Sequence, residues 1–195
     1  MTLPHIKTRV VTGLVLTLVL LGLWQCGSGA WIYVKAELAQ ALLQRAWADT
    51  RAGQGQMKPW PWADTWPVAR LTVPSKDIDL IVLNGAYGRT LAFGPGHLES
   101  SAAPGSIGTT ILTGHRDTHF RFLERLQPGE TIRLQQSSGR WLQFTVRNRQ
   151  VVDSRSAWIR SDDDERQVVL ITCYPFDAIV PGGPLRYVVS AIEEP

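Results

Sequence analysis

The chain has 195 residues, of which 44% are hydrophobic and 19% charged, with a formal net charge of +3. That balance belongs to a folded globular body, and the length allows one domain with a full core plus an accessory segment. No basic patch interleaved with aromatic residues occurs, so nucleic acid is not an expected partner.

Val10 to Val34 carries no charged residue. About 20 apolar residues suffice for a helix to cross a bilayer, and Trp31 and Tyr33 suit the far interface. Lys7 and Arg9 flank the N-terminal side, which favours a cytoplasmic N-terminus and export of the remainder. A retained signal anchor is the expected reading. A cleaved signal peptide is the alternative, because Ser28-Gly29-Ala30 resembles a small-residue cleavage site. Bulky Trp24 and Gln25 before Cys26 argue against a lipoprotein signal.

Lys35 to about Ala52 places Leu38, Leu42, Leu43, Ala46 and Trp47 near helical spacing, which predicts a stalk or a helix packed on the domain. Gly53 to Pro67 is rich in Gly, Pro and Trp and reads as a linker or arm. Its tryptophans either cover an apolar groove or anchor the linker. From Val68 short strands follow: ARLTVP, IDLIVL, GTTILTGH, ETIRLQQ, RWLQFTVRNRQVV, RQVVLITC and LRYVVSAI. HFRFLERL predicts a short helix or turn, and Thr90 to Phe93 a helical turn. Seven or so strands between turn signals predict an all-β sandwich or barrel. The acidic loop Asp162-Asp163-Asp164-Glu165 lacks calcium-loop spacing and reads as solvated, so neither metal nor cofactor is expected.

Of the two cysteines, Cys26 lies in the apolar segment and Cys173 far along the globular part, so a disulfide between them is rejected. There is no CxxC or zinc-type cluster. Two strands end in reactive side chains, ILTGH at His115 and VLITC at Cys173, and a third opens with Arg186. A cysteine and a histidine supply a nucleophile and a proton carrier, and an arginine supplies fixed donors for a developing oxyanion. A buried, inert Cys173 is the plain alternative. His97 and His119 are not expected to be catalytic, and Arg116 and Arg121 read as surface groups.

Thr113-Gly114-His115-Arg116-Asp117-Thr118 resembles the histidine segment of sortases, and Leu170-Ile171-Thr172-Cys173 their LxTC strand. Leu185-Arg186-Tyr187-Val188-Val189 resembles the strand with the family's arginine, and Gly94-Pro95-Gly96-His97 before Pro104-Gly105 their GPGH…PG loop. The HRDT and TCYPF forms are most similar to class D sortases and a related proteobacterial group. The resemblance implies a closed, about eight-stranded β-barrel behind an N-terminal transmembrane helix. It implies a membrane-anchored cysteine transpeptidase that cleaves an LPxTG-like sorting signal on a surface protein, through a thioacyl intermediate released by an amine acceptor. It further implies Cys173 as nucleophile, His115 as general acid and base, and Arg186 as oxyanion and substrate stabiliser. Thr172, Tyr174 and Thr113 are the expected substrate-binding neighbours. The expected organisation is a cytoplasmic segment 1–9, a transmembrane anchor 10–34, a stalk and linker 35–67 and a catalytic domain 68–195 outside the cytoplasm. Rival readings are an L,D-transpeptidase, disfavoured by Thr172 before the cysteine, a thiol hydrolase, and an inactive membrane-tethered binding barrel.

Overall fold

The computed structural model describes residues 3–156, 164–180 and 182–194. Asp162 and Asp163 of the acidic loop lie outside the described residues. The chain divides into two compact units, Met1–Gln40 and Ala41–Pro195.

Helix α1 runs from Leu3 to Asp49, so the expected stalk continues the apolar segment as one helix. It carries a candidate membrane span of mean hydropathy 1.7, none of whose apolar window is buried. Within the second unit, α1 becomes amphipathic. Leu43, Ala46 and Trp47 lie on one face by helical spacing and are buried. Leu43 and Trp47 pack on Ile81 and Leu83, with Phe93 against the same cluster. The helical path ends in the turn Thr50–Gln54, where Gly53 takes φ 85°, a left-handed conformation that favours glycine. In the linker, Trp60 meets Phe93 edge-on at 5.1 Å, whereas Trp62 is exposed. Trp60 therefore anchors the linker.

Eight strands follow: β1 (Pro67–Val73), β2 (Ile78–Asn84), β3 (Gly96–His97), β4 (Gly108–Thr113), β5 (Thr131–Gln136), β6 (Trp141–Asp153), β7 (Arg166–Cys173) and β8 (Leu185–Glu193). They close into a barrel in the order β1-β2-β3-β4-β7-β8-β6-β5. Pairings β2–β3 and β4–β7 are parallel and the others antiparallel. Side chains alternate across each strand. Leu71, Val82, Leu112, Leu134, Phe144, Leu170 and Val189 fill the interior. Each such burial stabilises by about 1.5–3 kcal/mol. A short helix α2 (Gly88–Leu91) precedes β3, and a 3-10 turn at Arg121–Arg125 drives Phe122 and Leu123 into the core.

Candidate active site

Val168 and Leu170 belong to the barrel core, so alternation along β7 turns Val169, Ile171 and Cys173 to the outer face. On β4, Leu112 is in the core and Thr113 faces outward. On β8, Val189 and Ala191 are in the core, leaving Val188 and Arg186 outward. Cys173 is paired directly with Arg186, and Thr113 with Ile171. Three adjacent strands thus bring Thr113, Cys173 and Arg186 to one face at one rim of the barrel.

His115 stands two residues past the end of β4, exposed in a turn rather than on the strand itself. Its neighbour Gly114 is tied to β7 twice. The Gly114 N–H donates to the Ile171 carbonyl at 3.2 Å, and the Thr172 hydroxyl donates to the Gly114 carbonyl at 2.7 Å. The Phe120 N–H donates to the His115 carbonyl at 3.0 Å, which closes the turn. Gly114 has no side chain because none fits: a Cβ there would lie 2.9 Å from the buried Phe120 ring.

Cys173 is a free thiol, partly exposed. Arg186 donates from Nη1 to the carbonyls of Gly183 (2.8 Å) and Leu185 (2.9 Å). Its other N–H groups have no hydrogen-bond partner among the described residues. At the end of β6, Arg155 holds the Asp153 carboxyl well below the usual range, at about 2, through a side-chain bond and its own N–H, with Arg186 adding a smaller attraction. His119 lies half-buried beside His115. Burial pushes its pKa down, the charge of His115 adds to this, and Asp117 opposes it, so His119 is neutral near neutral pH.

The remaining expected residues fall in different places. Thr172 is buried and turned inward, where it holds the Gly114 carbonyl. Tyr174 stacks on Tyr187, 6.2 Å between centroids, and packs against the barrel core together with Phe176. His97 is buried on β3, its Nε2 within 3.0 Å of the Ala102 carbonyl and 3.2 Å of the Ser101 hydroxyl. Arg116 corrects the reading of it as a surface group. It is buried, and its Nη2 donates to the carbonyls of Ala178 (2.9 Å) and Val180 (3.4 Å). Arg121 keeps an exposed side chain but donates to the Phe176 carbonyl at 3.1 Å. Both anchor the chain that leaves Cys173.

A family model described as a sortase domain matches residues 71–194, which contain all of these residues. The chain belongs to the sortase family. Sortase D of Bacillus subtilis (strain 168) is 32% identical over 119 residues, covering 61% of this chain and 60% of that relative. The solved sortase A from Corynebacterium diphtheriae shares 28% identity with a TM-score of 0.62, over 69% of this chain and 63% of that one. A Clostridium perfringens sortase D5 transpeptidase shares the fold, with a TM-score of 0.65 at 19% identity, over 82% of this chain and 99% of that one. The chain thus matches under two thirds of the B. subtilis and C. diphtheriae relatives' lengths. The closed barrel expected from the motifs is the barrel that sortases share.

Proposed function

We propose that this sortase is a membrane-anchored cysteine transpeptidase acting on surface proteins that carry an LPxTG-like C-terminal sorting signal. The observation that carries the reading is the Cys173–Arg186 pair on the outer face of β7 and β8, with His115 tied alongside through Gly114.

In the proposed reaction the Cys173 thiolate attacks the carbonyl carbon of the signal's threonine. The developing oxyanion is stabilised by N–H groups of Arg186, whose guanidinium stays charged throughout. As the tetrahedral intermediate collapses, the C–N bond breaks and protonated His115 gives its proton to the leaving amine. A thioester on Cys173 remains. Neutral His115 then takes a proton from the incoming amine, a new amide forms and Cys173 leaves as the thiolate, which restores the starting pair of thiolate and protonated His115. Water as acceptor would make the same chemistry a hydrolysis.

The exposed apolar residues of α1 suit lipid, and Lys7 and Arg9 suit a cytoplasmic N-terminus, which supports a catalytic domain on the extracytoplasmic side of the cell membrane. That position brings the enzyme to substrates still tethered to the same membrane.

The test is to incubate the full chain in detergent with a panel of LPxTG-like peptides, with and without hydroxylamine. Cleavage after threonine, trapped as a hydroxamate and lost in Cys173→Ala, is the expected result. Silence across the panel together with a Cys173 that resists alkylation at neutral pH would favour an inactive binding barrel.

A further inference from the structure

The His115 turn is fastened to the chain running through Cys173 on both sides of the histidine. On one side, Gly114 is bonded to Ile171 and Thr172, the two residues before Cys173. On the other, Arg116 is bonded to Ala178 and Val180, in the loop that leaves Cys173 toward β8. We infer that Arg116 is a positioning residue: its guanidinium, fixed to two carbonyls of the β7–β8 loop, holds the His115 imidazole in reacting geometry with the Cys173 thiol. The inference rests on the reading of Cys173 and His115 as a working pair.

The chemistry of the side chain points the same way. Arg116 is 9% exposed, and among the described residues no carboxylate pairs with it. Its Nη1 is buried with no hydrogen-bond partner among the described residues. Burying a charge compensated only by carbonyl dipoles is unfavourable, and an apolar side chain would fill the space at less cost. What the guanidinium adds is a planar fork whose donors have fixed directions, so one nitrogen reaches two carbonyls at a set span. Those carbonyls flank Ile179, whose side chain is 98% exposed, so the loop backbone faces Arg116 while its apolar residue faces out. A lysine has one rotatable ammonium and lacks that fixed geometry.

The expected effect is kinetic. Small misplacements of a catalytic group cost up to about 100-fold in rate. Loss of the Arg116 bonds removes the tie next to His115 on that side and leaves only the more distant bond from Arg121 to the Phe176 carbonyl there. His119 and Asp117 lie on this turn, Arg121 is bonded to the Phe176 carbonyl beside it and Arg186 is paired with Cys173, and all four remain in place.

The experiment compares the full wild-type chain in detergent with Arg116→Met, Arg116→Lys and His115→Ala. It follows the rate of Cys173 alkylation by iodoacetamide against pH, and peptide kcat and KM per titrated thiol. His115→Ala should shift the alkylation profile, which establishes the pair independently of any peptide. Arg116→Met should move the profile toward that of His115→Ala and lower kcat about tenfold or more, with a smaller change in KM. Arg116→Lys should fall between. If Arg116→Met does not fold, Arg116→Lys gives the reading, since it keeps the charge. Profiles and kcat per thiol that superpose on wild type, with only a lower melting temperature, would overturn the inference and leave Arg116 a structural strut. A His115→Ala profile identical to wild type would overturn the pairing itself, and the inference with it.

Discussion

Thr172 points into the barrel beside Cys173, and its hydroxyl satisfies the buried side of the His115 turn. Thr172→Val keeps the shape and removes the donor, so the Gly114 carbonyl loses its partner. A loss of about 1–3 kcal/mol is expected in urea unfolding, with Thr172→Ser recovering much of it. Gly114→Ala sets a methyl group against the Phe120 ring, which is fully buried and has nowhere to retreat. Overpacking of this kind costs about 1–3 kcal/mol, and Phe120→Leu in the same chain should recover part of it. The contrast between residues shows what the sequence could convey at this scale. Cys173 and Arg186 stand out because one ends a strand and the other stands at the opening of one, and His115 because it closely follows a buried strand-like run, although it lies two residues past that strand. Arg116 does not, because a guanidinium after a turn histidine reads as solvated. Its burial depends on a loop about sixty residues downstream returning over it, and no local pattern encodes that return. Tyr174, expected among the substrate-binding neighbours, lies just past the end of β7, where it stacks on Tyr187 and packs against the barrel core.

Among the elements, β7 (Arg166–Cys173) was legible because Val, Ile and Thr follow one another to a reactive end. Strand β3 was not. Two residues, Gly96 and His97, have little propensity of their own, and they are a strand only because β2 and β4 offer carbonyls and N–H groups on either side. The entry to β5 makes a separate prediction. Glu130, just before β5, bonds to Lys76 in the turn between β1 and β2 at 2.7 Å and accepts the Gln127 N–H at 2.5 Å. Burial disfavours its charge, but the bonds from Lys76, Ser75 and Gln127 outweigh it and hold its pKa at about 2. An ordinary glutamate titrates near about 4.3. The folded carboxyl is thus the stronger acid, so its stabilisation is present above the ordinary value and is lost as pH falls toward about 2. Urea midpoints of wild type and Glu130→Gln should differ at pH 6 and converge across that acid window. A constant difference down to the lowest pH would refute the assignment.

At the scale of the whole molecule, the second unit holds a complete barrel core and the satellite cluster of Leu43, Trp47, Ile81 and Leu83. A chain beginning at Ala41 should fold, stay in solution and cleave peptide with wild-type kcat, while the full chain partitions into membranes. Membrane flotation and peptide kinetics on the two forms check this. Loss of peptide cleavage on truncation would show that α1 contributes more than tethering. The apolar stretch was legible as a candidate span from length and composition alone, and α1 carries that candidate. The continuity of α1 through Asp49 was not, because the interfacial residues Trp31 and Tyr33 read as an end to the span.

The central claim is that Cys173 carries the acyl group between cleavage and transfer. Intact-protein and peptide mass spectrometry of the full chain, quenched at low pH during turnover with a cleavable LPxTG-like peptide, tests it most directly. The account predicts a mass increase equal to the acyl part ending in threonine, located on Cys173 and removed by hydroxylamine. Cleavage that proceeds in Cys173→Ala, or with Cys173 unmodified at every time sampled, would contradict it.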